Sequence, residues 1–101
     1  MKLLDLGQKL STDMKEILEP FRMEPSDSFT FNRLSQKVLS KLEEYKCNNY
    51  IYDYELRVCT DRDLIISFVS EGIEIAFIRI HRLSHSLKSN INVYETESYD
   101  I

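Results

Sequence analysis

The residues best suited to chemistry in this sequence are two histidines and two cysteines. His81 and His85 stand four positions apart, the spacing of a two-histidine metal site on a helix, but the pattern around them predicts a strand end and a loop. Cys47 beside either histidine could act as a nucleophile pair, although the sequence offers no third group to orient it. Surface histidines and buried cysteines explain the same residues more simply. We therefore predict no metal site and no catalytic residue.

Acidic residues near the predicted turns give no stronger signal. Asp61, Asp63 and Glu71 do not follow the twelve-residue calcium-loop pattern. The chain has two glycines, Gly7 and Gly72, which cannot build a glycine-rich phosphate loop. The sequence thus predicts a protein that is not an enzyme and that uses no cofactor.

Length and charge narrow the class of protein further. A chain of 101 residues is expected to form one domain with a modest core. The net charge of −4 argues against general nucleic-acid binding, which needs a basic surface. No apolar signal region follows Met1, and no segment reaches the roughly 20 apolar residues of a membrane span. Cys47 and Cys59 are expected to be buried, reduced thiols in a protein made in the cytoplasm.

The first half of the chain predicts two amphipathic helices. Apolar residues three or four apart run from Leu3 to Phe21, and Pro20 should end this helix one or two residues earlier. Gly7 should weaken its first turn, which makes residues 1–8 a candidate flexible arm. A polar turn with Asp27, Ser28 or Thr30 as N-cap precedes the second helix. Its apolar stripe consists of Phe31, Leu34, Val38, Leu42 and Tyr45.

Beyond the helices the apolar period changes from 3.6 to 2, which indicates strands. One strand covers Tyr52–Val58, a long one covers Ile73–Leu83 after a hairpin turn at Ser70–Gly72, and a short one covers Asn90–Tyr94. Residues 64–69 could be a strand or an apolar loop. We predict a single α+β domain in which the two helices pack on a mainly antiparallel sheet of three to four strands.

Side-chain alternation adds detail to the predicted sheet. In the first strand, one buried face is expected to carry Tyr52, Tyr54, Leu56 and Val58. The apolar phase of the long strand changes near Phe77, either through a bulge or because both faces are covered. Residues 84–90 are predicted to be a loop, and the acidic residues 95–101 a tail that forms a candidate C-terminal arm.

Unpaired sheet edges favour assembly with other chains. A locally basic stretch precedes the acidic tail and consists of Arg79, His81, Arg82, His85 and Lys88. It is either an ordinary mixed surface or a charge complement between neighbouring copies.

Two segments resemble the C-terminal domain of contractile-tail sheath proteins and the small baseplate protein that initiates the sheath. The segment Leu18-Glu19-Pro20-Phe21-Arg22-Met23-Glu24-Pro25-Ser26-Asp27 resembles the family turn L-x-P-F-x-F-E-P-N-D. The segment Ile51-Tyr52-Asp53-Tyr54-Glu55-Leu56-Arg57-Val58-Cys59 is similar to the family strand I-x-D-Y-x-V-x-C-D. Two further segments, 72–80 and 91–93, stand where the family's later strands run.

This resemblance implies a structural protein of a virion tail or baseplate, made in the host cytoplasm. Its partners would be copies of itself, tail sheath proteins and baseplate proteins, with neither nucleic acid nor membrane among them. Extended arms would add strands to neighbouring sheets, with Tyr52–Val58 or Ile73–Ile80 as the acceptor edge. The residues expected at such interfaces are Tyr52, Tyr54, Leu56, Val58, Ile75, Phe77, Arg79, Arg82, Glu95, Glu97 and Ile101.

Two other functions fit the same sequence. A small adaptor domain would bind one partner peptide by strand addition and remain monomeric. A small enzyme would use Cys47 or the histidines, and unreactive cysteines with no bound metal would exclude it.

Overall fold

Two helices and five strands follow one another along the chain in the computed structural model, which describes residues 3–94 and 98–101. The elements are α1 (Leu3–Arg22), α2 (Ser28–Cys47), β1 (Asp53–Cys59), β2 (Asp63–Ser70), β3 (Ile73–Arg82), β4 (Leu87–Val93) and β5 (Ser98–Asp100). The strands form one antiparallel sheet in the order β1-β2-β3-β4-β5. The predicted α+β fold is confirmed, with five strands in place of three to four.

α1 continues through Pro20 and ends at Arg22, so the predicted earlier end is wrong. Pro20 lies in the last turn, where its missing N–H removes one hydrogen bond, and the buried side chain of Phe21 holds that turn on the core. The amides of Met23 and Glu24 then donate to the carbonyl oxygens of Pro20 and Phe21 at 3.3 and 3.2 Å. Packing at Phe21 therefore outweighs the local preference of proline.

The start of α1 is also helical where the sequence predicts an arm. Residues 3–8 belong to the helix, and Leu6 is buried with Leu10. The prediction of an arm is wrong for these residues, and residues 1–2 lie outside the described part of the chain. The loss of helix propensity at Gly7 is offset by a tertiary contact described below.

α2 confirms the predicted cap and stripe. The Asp27 side chain accepts a hydrogen bond from the Thr30 amide at 2.8 Å, which makes Asp27 the N-cap. The predicted stripe is buried throughout, at Phe31, Leu34, Val38, Leu42 and Tyr45. The Tyr45 hydroxyl donates to the Asp13 carboxylate of α1, and burial followed by this bond raises the pKa of Tyr45.

The two helices pack side by side against one face of the sheet. Alternate residues of the inner strands face the helices, and eight of these are buried: Leu64, Ile66, Phe68, Ala76, Ile78, Ile80, Ile91 and Val93. Residues 64–69 are thus part of strand β2 and not a loop. The opposite face, called the open face here, carries the alternate residues Ile65, Ser67, Phe77 and Arg79.

A two-residue turn at Glu71 and Gly72 joins β2 to β3, as predicted. Both residues have positive φ, 54° and 78°, which is the signature of a type I′ hairpin turn. The register between β2 and β3 shifts at Ile75, so a bulge explains the change of apolar phase that the sequence places near Phe77.

β3 ends at Arg82 and β4 begins at Leu87, so only residues 84–86 of the predicted loop 84–90 lie outside the strands. The predicted tail is wrong for residues 98–101, because β5 pairs with β4 and Ile101 is buried in the core.

Candidate interaction edges of the sheet

β1 forms one edge of the sheet. Among the described strands it pairs with β2 alone, so its other side carries backbone N–H and C=O groups without a strand partner. The strand runs for seven residues and contains neither proline nor glycine. This is a backbone surface to which a further strand can add.

Two side-chain contacts fix the start of β1 to the end of α2. Lys46 Nζ lies 3.2 Å from Asp53 Oδ1, and the Tyr54 hydroxyl donates to the Glu43 carboxylate. Burial, followed by the bond to Glu43, raises the pKa of Tyr54 to about 12. Contacts with α2 therefore hold the start of the edge strand in place within a single chain.

The prediction of one buried apolar face on the first strand is wrong. Tyr52 precedes β1 and is 75% exposed, while Leu56 is 46% exposed in the middle of the strand. The register shifts at Arg57, and Val58 then stands opposite Ile65, whose side chain lies on the open face. The helices cover the inner strands but leave most of β1 uncovered, a boundary that alternation alone does not reveal.

Charged side chains of β1 belong to a network across the open face. Arg57 Nη2 lies 3.1 Å from Glu55 Oε2, and Arg57 Nε donates to Ser67 Oγ at 3.0 Å. The buried Ser67 hydroxyl donates in turn to Glu74, which also accepts from the Tyr94 hydroxyl at 2.6 Å. These two bonds lower the pKa of Glu74, first the one from Ser67 and then the one from Tyr94.

The residues predicted on the long strand lie in the interior of the sheet. β3 pairs with β2 on one side and β4 on the other, so Ile73–Ile80 cannot be an acceptor edge and that prediction is wrong. Ile75 is half-buried against the core, and the ring of Phe77 lies 6.2 Å from that of Tyr94. Arg79 Nε lies 3.4 Å from Asp63 Oδ1.

Arg82 connects two turns within the molecule. Its Nε donates to the Asp61 carbonyl oxygen at 2.9 Å, and its Nη1 donates to the Ser26 carbonyl oxygen at 3.1 Å. The side chain is 13% exposed. These internal bonds use two of its five N–H donors, and its role as an interaction residue stays a prediction.

The other edge of the sheet is occupied by the chain's own C-terminal segment. β5 pairs with Asn90–Asn92 of β4, and the Ile101 amide donates to the Ser89 carbonyl oxygen at 3.0 Å. The Ile101 carbonyl oxygen accepts from Arg22 Nη2 and from the Ser89 hydroxyl. Glu95 and Glu97, also predicted as interaction residues, lie outside the described residues.

A glycine on α1 makes room for this last strand. A Cβ atom at Gly7 would lie 2.7 Å from Tyr99 Cε2 and 3.1 Å from Val93 Cγ2. The sequence predicts Gly7 only as a weak point of the helix. The chain has two glycines, and Gly7 is the one that interrupts an otherwise regular apolar stripe, which is the sequence signal for a close approach.

Three residues of the basic stretch, Arg79, His81 and Lys88, line a groove beside the end of β5. The groove has a volume of about 480 Å³, and Arg22, Arg79, His81, Lys88 and Asp100 are among the residues that line it. His81 Nδ1 lies 3.1 Å from Asp63 Oδ1, a contact that is an ion pair only when the histidine is protonated.

The two cysteines are the remaining candidates for a reactive residue, and they lie at the ends of different elements. Cys47 and Cys59 are both exposed, so their predicted burial is wrong. Cys47 ends α2 and Cys59 ends β1, positions that the core does not reach. No group of three or more His, Cys, Asp or Glu side chains that could hold a metal ion occurs among residues 3–94 and 98–101.

No helix in the described part of the chain is long and apolar enough to cross a membrane. Comparisons with protein-family models, with curated proteins and with solved structures found no match.

Proposed function

We propose that this chain is a structural subunit of a contractile tail, similar to a sheath initiator or a sheath domain, and that it joins its neighbours by β-strand addition. The observation that carries the proposal is the uncovered edge of β1, with Leu56 exposed at its centre. The resemblance of the Leu18–Asp27 turn and the Ile51–Cys59 strand to that family supplies the kind of machine. Its partners are then copies of itself, sheath proteins and baseplate proteins of a virion.

The physical basis of the proposal is the row of unpaired backbone groups on β1. A strand added there gains hydrogen bonds along the edge, and exposed Leu56 gains an apolar neighbour. Natural edge strands are commonly protected by proline, lysine or short length. β1 has seven residues and contains neither proline nor lysine, and its protection consists of the bulge at Arg57 and the charged residues Asp53, Glu55 and Arg57.

An extended terminal segment of a neighbour is the donor in this proposal. Within one chain, Ser98–Asp100 is a three-residue strand, and Ile101 is held by contacts to Arg22 and Ser89. So short a strand can leave its own sheet at a lower cost than any of the inner strands. The same segment can then extend the sheet of an adjacent copy.

Replacing Leu56, at the centre of β1, with lysine tests whether this edge accepts a strand from a neighbour. We expect Leu56→Lys to prevent the formation of large assemblies in concentrated protein, measured by sedimentation and electron microscopy. Ile73→Lys is the matched control, because Ile73 is 66% exposed but lies on the interior strand β3. Equal assembly of both variants would overturn the proposal, as would the absence of ordered assemblies of the unmodified chain.

A peptide-binding adaptor is the second candidate, and the occupied β4 edge favours it. Because β5 already fills that edge, a single copy has an open acceptor at β1 and no free donor among the described residues. We expect an adaptor to stay monomeric at all concentrations and to bind one extended peptide at β1 in a 1:1 complex.

A further inference from the structure

We propose that β1 pairs in antiparallel fashion with β1 of a second copy, in a register centred on Leu56. The pairing would form a two-fold symmetric dimer in which the two five-stranded sheets become continuous. This inference rests on the proposed function only in taking β1 as the assembly edge, and it names the partner and register at that edge.

The charge pattern of β1 is complementary to itself about Leu56. Leu56 is the midpoint of the seven-residue strand Asp53–Cys59. With Leu56 opposite its own copy, Glu55 stands opposite Arg57 of the second copy, and the symmetry produces this pair twice. Opposite charges directly across an antiparallel pair stabilise it.

The two faces of the sheet also match in this register. Glu55 stands opposite Ser67 on the open face, and Arg57 bonds to the same Ser67, so both charged side chains lie on that face. Leu56 stands opposite Ile66 on the face toward the helices. The dimer would therefore bring two half-exposed Leu56 side chains together on one face and four charges together on the other.

Neighbouring symmetric registers lack this complementarity. A dimer centred on Glu55 would place two glutamates opposite each other, and one centred on Arg57 would place two arginines opposite each other. Like charges in directly opposed positions destabilise a strand pair. Directly opposed residues lie on the same face of the sheet. The two-fold axis must therefore pass midway between the two copies of one residue, because an axis between successive residues would pair opposite faces.

The bulge at Arg57 sets the strength of the dimer. After it Val58 lies on the open face, whereas Tyr54, its would-be partner in the second copy, lies toward the helices, so the matched ladder is limited to the Leu56 pair and the two pairs of Glu55 with Arg57. A short ladder gives a weak, concentration-dependent dimer. Such a dimer covers the edge that a donor strand would use, so the two modes of pairing compete.

Charge reversal provides the test. In the unmixed variants Glu55→Arg and Arg57→Glu, both cross-strand ion pairs become repulsive, and we expect the dimer dissociation constant to rise roughly tenfold or more. In a mixture, the first variant supplies two arginines and the second supplies two glutamates, so both pairs across the interface again join opposite charges. We therefore expect the mixture to dimerise as tightly as the unmodified chain. The contact between Glu55 and Arg57 within one chain cannot explain rescue by mixing, because each variant chain still carries two like charges.

Disulfide trapping tests the register independently. In a chain with Cys47→Ser and Cys59→Ser, we expect Leu56→Cys to cross-link two copies, because residues directly opposed across antiparallel strands come within disulfide reach. Tyr52→Cys is the control, since its two copies would lie about 27 Å apart. The absence of both rescue by mixing and a Leu56→Cys cross-link would overturn this inference. If Leu56→Lys still prevents large assemblies in that case, the proposed function stands without it.

Discussion

Gly7 of α1 and Tyr99 of β5 are in contact, with so little space between them that a Cβ atom at position 7 would lie 2.7 Å from Tyr99 Cε2. The contact joins the first helix to the last strand of the sheet. It explains why a residue with poor helix propensity stands inside α1.

Gly7→Ala is therefore expected to lack the stabilisation of about 1 kcal/mol that alanine normally brings to a helix. The Tyr99 ring must shift to admit the new methyl group, which loosens β5. In the Tyr99→Ala background, where the ring is absent, the same substitution should be more favourable than in the unmodified chain, although Val93 Cγ2 at 3.1 Å must still shift slightly. Urea unfolding of all four chains measures the difference, and an equal gain in both backgrounds would show that the contact does not restrict position 7.

Arg22→Lys is expected to release the C-terminal segment while the rest of the sheet stays folded. Arg22 Nη2 donates to the Ile101 carbonyl oxygen and to Ser89 Oγ, and Nη1 donates to the Leu87 carbonyl oxygen at 3.4 Å, so two nitrogens are used where lysine offers one. Hydrogen exchange at the Ile101 amide should accelerate, while exchange in β2 stays unchanged. Arg33→Lys is the control, because Arg33 pairs with Glu24 far from β5. Equal exchange at Ile101 in both variants would contradict this role for Arg22.

Leu34→Ala is expected to destabilise the protein by roughly 2–5 kcal/mol, because a buried leucine side chain is removed and a cavity remains. Leu34 is fully buried at the centre of the α2 stripe. Thermal or denaturant unfolding gives the value. A loss below about 1 kcal/mol would mean that the core collapses around the missing side chain.

Ionised Asp27 is expected to make a pH-dependent contribution to the stability of the folded state. Hydrogen bonds from Thr30, first from its backbone amide and then from its side chain, hold the pKa of Asp27 below its ordinary value. Because the pKa is lower in the folded state, the contribution is complete above the unfolded pKa of about 4 and is lost as pH falls through the folded pKa. Asp27→Asn should keep an N-cap and show a shallower decline of the melting temperature in acid. An unchanged acid profile would indicate that other carboxylates dominate.

Local patterns predicted much of this fold from the sequence. The α2 stripe, its N-cap and the Glu71–Gly72 turn depend on near neighbours in the chain, and each was confirmed. The end of α1 was mispredicted because the burial of Phe21 outweighs the local effect of Pro20. Within the predicted tail, Ser98–Asp100 form a strand and Ile101 is held beside it, because Arg22 and Ser89, distant in sequence, supply contacts to Ile101.

The candidate site was predictable only in part. Alternation located β1 but could not show that the helices leave it uncovered, so Tyr52 and Leu56 are exposed against expectation. Arg82 appeared as a surface charge because its acceptors, two backbone carbonyl groups, have no sequence signature. Whether a strand is an edge depends on the order of all strands, which short motifs do not contain.

The order of strands in the sheet has a consequence for how the molecule folds. Each strand pairs with its neighbour in sequence, so every hairpin can form early through a short loop closure. The bond from Arg22 to Ile101 is different, because it spans 79 positions, and the contact between Gly7 and Tyr99 spans more. These distant contacts carry the greatest closure entropy and should form late. A nascent chain would thus hold its hairpins before it holds its final strand, and during that interval the β4 edge would be open as well as the β1 edge.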